Sequence, residues 1–289
     1  MSPAPDARIQ RRRLQRDLRR IREAAGQSQR QAADAMDWSL SKLIRIETGS
    51  VAISISDLKA LLLHYNVDDS AEVERLVEMA RASKDRRAWW NTYRDATSPQ
   101  YMSFVAYESA ASRIFQFEPL LIPGLLQQED YARALMQAIA GAATDERVQE
   151  WVELRMRRQE EVFERTDPPE IVFVLDEAVL HRRVGGADTM RRQLQHLKHM
   201  LATEKNVTIE IIPFSEGAHP GLKGPMVIMQ FPDDEDEDIL YVENNRGDMI
   251  SREEEKELIP AHKTFERLRE IASRGNPDDI IDEALAHMR

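Results

Sequence analysis

Residues 27–49, Gln-Ser-Gln-Arg-Gln-Ala-Ala-Asp-Ala-Met-Asp-Trp-Ser-Leu-Ser-Lys-Leu-Ile-Arg-Ile-Glu-Thr-Gly, read as two short helices joined by a tight corner. Ser28 stands at the N-cap of the first, with Gln31 three positions on at the capping-box spacing, and Ala32, Ala35 and Met36 face inward. Asp37 tolerates the left-handed conformation that the corner requires. Ser39 caps the second helix, Trp38 and Leu43 occupy staple positions, Leu43 and Ile46 form its inward face, and Gly49 ends it. The outer face of that second helix keeps small polar and basic side chains, the form of a helix that enters a DNA major groove. The alternative is an αα-hairpin in a helical core. Agreement of caps, staple and stop favours the reader.

These residues resemble the helix-turn-helix of the Xre (phage-repressor-like) family over about the first 80 residues, most specifically at Ser28-Gln29 and at Ile46-Glu47-Thr48-Gly49. The resemblance implies that Gln29 touches a phosphate and that Leu40, Ser41, Lys42 and Arg45 face base edges; Ser28, Arg30 and Ser39 complete the expected set. The chemistry agrees: Arg and Lys donate to guanine O6 and N7, a hydroxyl serves either partner, and Leu packs on a thymine methyl. Asp37 stands where the family commonly has Gly.

Charge is distributed to match. The 289-residue chain carries a net charge of −11, which argues against a nonspecific nucleic-acid binder. Residues 1–87 nevertheless hold 17 Lys and Arg against 13 Asp and Glu, a surplus of +4, which leaves −15 for the rest. Within residues 1–30 nine Arg face three acids, while Leu14, Leu18, Ile21 and Ala25 make an apolar stripe at helical spacing. Arg11, Arg12 and Arg13 are therefore expected to contact the DNA backbone or a minor groove; a solvated charged face is the alternative.

Composition bounds the remainder. No apolar run approaches the ~18 residues needed to span a bilayer and the N-terminus lacks a signal-peptide segment, so a cytoplasmic location is expected. The absence of cysteine removes disulfides, thiolate zinc sites and cysteine nucleophiles. Helices with Leu58, Leu61, Leu62 and Tyr65, capped by Ser56, and with Val73, Leu76, Val77 and Met79, starting at Ser70, complete a five-helix all-α domain over residues 1–84. A connector covers 85–100. Trp89, Trp90, Tyr93, Tyr101 and Phe104 gather near it, as core or interface packing or as a ligand cage. Residues 101–289 form the second domain. There 101–117 and 129–165 read as helical, 171–175, 207–213, 225–231 and 238–242 as strands, 188–203 as a helix, and 260–271 and 278–287 as closing helices. The expected class is α+β: an all-helical domain followed by helices around a small mixed or antiparallel sheet.

Pro123-Gly124-Leu125-Leu126-Gln127 with Tyr131, Leu154-Arg155-Met156-Arg157-Arg158-Gln159, Asp176-Glu177-Ala178-Val179-Leu180, Ile209-Glu210-Ile211-Ile212-Pro213-Phe214, Gly224-Pro225 and Tyr241-Val242-Glu243 resemble the C-terminal domain of actinobacterial WhiJ-like, antitoxin-like regulators. That resemblance implies developmental or antibiotic-production control, often with a small partner protein encoded nearby. Gln128 stands where the family tends to have Thr. The apolar loop Pro119, Leu120, Leu121, Ile122, Pro123, Gly124, Leu125, Leu126 is expected to contact a partner or ligand, because so many aliphatic residues need a cover.

An enzymatic reading has Asp176 with Glu177, Glu243, His181, His196, His199 and His219 as its candidate groups and finds little among them. Adjacent Asp176 and Glu177 at a strand end point to opposite faces. His196 and His199 have a metal-compatible i, i+3 spacing without an evident third ligand, and exposed helix histidines are the alternative. No nucleophile elbow, phosphate-cradling glycine loop or H-E-x-x-H pattern occurs. Gly185-Gly186 and residues 217–224 read as turns, and the acidic run 233–238 as a solvated loop or a docking element. The expectation is a sequence-specific transcriptional regulator, not an enzyme, with no cofactor or metal. It would bind a palindromic operator as a homodimer, through a C-terminal domain that takes a small protein or ligand, since one such reader touches too few base pairs alone. An antitoxin that neutralises a partner and autoregulates its operon is the alternative.

Overall fold

A computed structural model of the chain describes residues 7–83, 89–93, 95–233, 236–243, 249–252 and 255–288. The chain divides into two units, Met1–Asn91 and Thr92–Arg289. In the first, helices α1 (Ala7–Ala24), α2 (Gln29–Ala35), α3 (Leu40–Glu47), α4 (Ile55–His64) and α5 (Ser70–Ala82) surround one apolar cluster. Leu14 and Leu18 of α1, Leu43 and Ile46 of α3, Leu58, Leu61 and Leu62 of α4, and Leu76 and Val77 of α5 fill it. Burial of such side chains is the main favourable term in so small a domain.

Local signals set the helix ends. The capping box at Ser28 is formed on both sides: the Ser28 hydroxyl accepts from Gln31 N, and the Gln31 side chain accepts from Ser28 N at 2.9 Å. Asp37 has φ 55° and Gly49 φ 71°, so both reversals adopt the left-handed conformation. Ser39 accepts from Lys42 N. Three details differ from expectation. Ala33, not Ala35, joins Ala32 in the core, and Ala25 lies exposed beyond α1. The cap of α4 is Ser54, which accepts from Asp57 N at 3.0 Å; Ser56 lies inside the helix with its hydroxyl on that of Ser54. Arg75 braces α5 to α1 through Asp17 Oδ2 at 2.8 Å.

The second unit runs α6 (Pro99–Glu108), β1 (Arg113–Glu118), α7 (Glu129–Ile139), α8 (Asp145–Phe163), β2 (Glu170–Asp176), α9 (Ala178–His181), α10 (Ala187–Thr203), β3 (Val207–Ile212), β4 (Met226–Gln230), β5 (Ile239–Glu243), β6 (Met249–Arg252), α11 (Glu255–Ala272) and α12 (Pro277–Ala286). The strands form one mixed sheet in the order β3-β2-β1-β4-β5-β6. β3, β2 and β1 are parallel; β4, β5 and β6 continue antiparallel. Ile171 to Leu175 are buried on both faces, as expected of a strand covered on each side. On one face α11 lays Leu258, Ala261, Phe265, Leu268 and Ile271 over Phe117, Val172, Val174 and Ile228.

Residues 101–117 are not one helix. α6 stops at Glu108, and Arg-Ile-Phe-Gln-Phe-Glu becomes the central strand β1, with Ile114 paired to Ile171 on one side and Met229 on the other. Residues 129–165 split into α7 and α8 around Gly141 at φ 58°. α11 begins at Glu255 and carries Pro260 inside it, and β6 is an added strand.

Candidate nucleic-acid interface

The three helices that make the reading head are clamped by a buried polar cluster. Glu47, the last residue of α3, lies at the inward position that follows Leu43 and Ile46, and Arg22 lies on the apolar side of α1. Arg22 Nε donates to Glu47 Oε1 at 2.7 Å and Nη2 to Oε2 at 3.2 Å, while Nη1 donates to the Gln27 carbonyl at 2.8 Å. Gln29 Nε2 donates to Glu47 Oε2 at 2.7 Å. The hydrogen bond to Glu47 holds the Arg22 guanidinium above its ordinary pKa, against the opposing effect of burial. Tyr65 is buried beside the pair; burial first, and then the Glu47 charge, push its phenol up to about 12. Arg22 was not singled out in sequence, and Glu47 only as part of Ile46-Glu47-Thr48-Gly49. The signal was there: charges of opposite sign occupy inward positions of two apolar stripes, which calls for pairing.

α3 then presents Ser41, Ile44, Arg45 and Thr48 to solvent. Arg45 Nε donates to the Ser41 carbonyl at 3.2 Å, and its remaining guanidinium nitrogens have no partner among the described residues. Lys42 is held instead: Nζ is 3.1 Å from Asp57 Oδ2 and 3.9 Å from the centre of the Trp38 ring. Ser28, Arg30 and Ser39 are exposed, Leu40 is half-buried, and Gln29 is half-buried with its amide nitrogen turned to Glu47. Arg11 is directed to the far end of α5, where Nη2 donates to the Ser83 carbonyl at 3.1 Å; Arg12 and Arg13 are half-buried. Arg19 Nη2 reaches the Glu47 carbonyl at 3.4 Å from an exposed position, beside the C-terminus of α3.

In the second unit the apolar loop has its cover within the unit. Ile122, Pro123, Leu125 and Leu126 are buried, Pro119 and Leu121 are half-buried, and Leu120 is the exposed one. Polar side chains pin its backbone: Tyr131 Oη accepts from Ile122 N at 3.3 Å, Gln127 Nε2 donates to the Ile122 carbonyl at 2.6 Å, Gln159 Nε2 donates to the Gly124 carbonyl at 2.8 Å, and Gln193 Nε2 donates to the Leu126 carbonyl at 2.6 Å. The expectation that four of these aliphatic side chains meet a partner is thereby corrected, since they pack inward. Beneath them Arg158 pairs with buried Glu108, Nη2 to Oε1 at 2.7 Å, and Nη1 donates to the Tyr101 hydroxyl at 2.9 Å. Tyr101 stacks on Phe104, and Phe104 meets Tyr241 edge-on, so these aromatics are packed in the unit.

The two adjacent carboxylates considered for catalysis engage different histidines. Asp176 Oδ2 is 2.9 Å from His219 Nε2, while Glu177 accepts from Phe214 N at 2.7 Å and is 3.1 Å from His181 Nε2. Burial, and then His199, hold His196 below its ordinary pKa. His196 lines an open cleft of about 530 Å³ with Gln127, Gln128, Asp130, Arg133 and Arg192. Among the described residues no group of three or more His, Asp or Glu is arranged to hold a metal ion, and no helix is long and apolar enough to cross a membrane. Of the acidic run, residues 234–235 lie outside the described residues; Asp238 Oδ2 accepts from Gln230 at 2.8 Å and is 2.7 Å from His262 Nε2.

Capped α2, a left-handed corner and an α3 with an open polar outer side define a helix-turn-helix DNA-binding domain, the equipment of a DNA-binding regulator. Residues 13–76 match a family described as a helix-turn-helix domain, and residues 101–277 match one described as a domain of unknown function (DUF5753). The second match takes in more than half of the chain, which therefore belongs to that family. No curated protein and no solved structure matches it.

Proposed function

We propose that the chain is an Xre-type regulator of the WhiJ-like kind, in which α3 reads operator bases while the C-terminal domain binds a small protein or ligand and supports dimerisation. The observation that carries the reading is the pairing of a rigid back with an open front: Glu47 and Arg22 lock α3 from behind, leaving Ser41 and Arg45 exposed. A preorganised helix discriminates bases without a further ordering cost. The −15 balance of residues 88–289 keeps the second half off phosphate, so DNA engages one end of the chain. The cleft beside His196, within the usual size range of small-molecule sites, supports a ligand as effector. Its occupation would shift the DNA-competent state only by its differential affinity for the two states. No catalytic step is assigned to the chain. The antitoxin reading keeps the same DNA contacts and makes neutralisation of a small protein the main task of residues 101–289.

Selection of duplexes by the full chain from a random library, with light scattering of the resulting complex, tests this. The expected outcome is a palindrome whose half-sites lie one helical turn or a multiple apart, bound by two copies. No enriched sequence overturns the DNA reading; a single copy on a single half-site overturns the dimer.

A further inference from the structure

We propose that Ile44 reads the 5-methyl group of a thymine in the major groove, beside Arg45 as the hydrogen-bonding reader. The inference rests on the reading of α3 as the base-contacting helix and names what one flank of that helix recognises. Leu43 and Ile46 are 0% and 3% exposed, as inward residues should be, yet Ile44 between them is 37% exposed. At 100° per residue Ile44 lies a sixth of a turn from Ser41, on the side of α3 away from Lys42. The two flanks therefore differ in kind. Lys42 is engaged by Asp57 and Trp38 on its side. On the Ile44 side the neighbouring hydroxyl is turned back on the helix: Thr48 Oγ1 donates to the Ile44 carbonyl at 2.9 Å and lies 3.2 Å from Ser50 Oγ. Val51, 40% exposed, extends the apolar character into the following loop.

An aliphatic side chain on the outward side of a reading helix has one favourable counterpart at a base edge, the C5-methyl of thymine. The other major-groove features are hydrogen-bond donors and acceptors. Ile44 discriminates in both directions, because covering the amino group of cytosine or adenine leaves a polar group desolvated and unpaired. Its β-branched side chain is already confined to essentially one rotamer in the helix, so little freedom is lost on contact.

Duplexes enriched by the full chain are resynthesised with deoxyuridine in place of each thymine in turn, which removes the methyl and leaves pairing intact. At one thymine per half-site the wild-type affinity is expected to fall about four-fold, the worth of one buried methyl group. Ile44→Ala should bind the two forms alike, and Arg45→Ala should retain the difference. If no replacement weakens the wild-type protein, or if Ile44→Ala keeps the same methyl dependence, the proposal is overturned while base reading by α3 stands. If the library gives no enriched sequence, the reading of α3 fails and takes the methyl contact with it. The deoxyuridine arm uses the wild-type protein, so its result does not depend on how well a variant folds.

Discussion

Arg22 and Glu47 face each other across the reading head at 2.7 Å, with side chains 8% and 2% exposed, and Gln29 shares the same carboxylate. Three helices are thus tied at one point. Removing one member strands a buried charge, whereas a well-packed apolar pair in its place is tolerated far better. Glu47→Ala is expected to destabilise the N-terminal unit by about 3–5 kcal/mol. Urea unfolding of the full chain, followed by Trp38 fluorescence in a background with Trp89, Trp90 and Trp151 replaced by Phe, checks this; a loss within experimental error of zero would show that the clamp is ornamental.

Base reading and phosphate attraction should separate among the arginines. Arg45→Ala is expected to cost about 1–3 kcal/mol at the preferred site and to relax preference at one base position. Charge removal at exposed Arg19 or Arg30 should weaken all sequences alike and lower the salt slope by about one. Titrations at several salt concentrations on preferred and scrambled duplexes distinguish the two; equal behaviour of the three variants would contradict the division of labour.

Tyr65 buries a hydroxyl that has no hydrogen-bond partner among the described residues. Tyr65→Phe removes an unsatisfied group and should leave the N-terminal unit as stable as before or more so. The phenol also ties stability to alkaline pH. Its folded pKa is pushed from the ordinary 10.0 up to about 12, so the unfolded chain loses the proton first, and stability falls as pH rises from 10 toward 12. Melting curves across that range should show a steeper decline for the wild type than for the Phe variant.

His196 works in the opposite direction. Burial, and then His199, depress its pKa below the ordinary 6.5, so the unfolded chain takes up a proton first as pH falls below that value. Stability of the C-terminal unit attributable to this residue is whole above pH 6.5 and declines in acid. His196→Gln should flatten the decline in urea midpoint between pH 7 and 5.5. An unchanged slope would place the acid sensitivity elsewhere.

The apolar loop supplies a prediction that needs no partner. Ile122 N and Leu126 N donate to the Tyr131 hydroxyl and the Pro123 carbonyl, the first of these bonds buried, so both amides should exchange slowly in the free protein. Rapid exchange there would mean that the loop opens in solution and would restore it as a contact surface.

What the sequence disclosed followed the range of the interactions. The head was readable because its determinants lie within a few positions of one another: Ser28 with Gln31, Ser39 with Lys42, Asp37 and Gly49 at the reversals. Ile171 to Leu175 was readable because an unbroken apolar run rich in β-branched residues suits a strand buried on both faces. Arg113–Glu118 was not, since six residues with mixed spacing fit a helix end as well as a strand, and what decides is pairing with residues 170–175 and 226–230. The loop at 119–126 was legible as apolar but not as interior, because its cover comes from Tyr131, Gln159 and Gln193 on separate helices. Glu47 was seen as part of a motif; its buried partner lies 25 residues away, and the one sign of it in sequence is an opposite charge at an inward position of α1.

β1 marks the place where the sheet changes direction, and both of its neighbours are synthesised long after it. On the ribosome the strand must wait for residue 230 before its ladder is complete, whereas the apolar cluster of the head is drawn from residues 14–80. A chain still being made therefore has its DNA-binding end in place well before the sheet of the second unit can close. A translation product cut short after residue 83 would keep the outer face of α3 and carry none of the sheet.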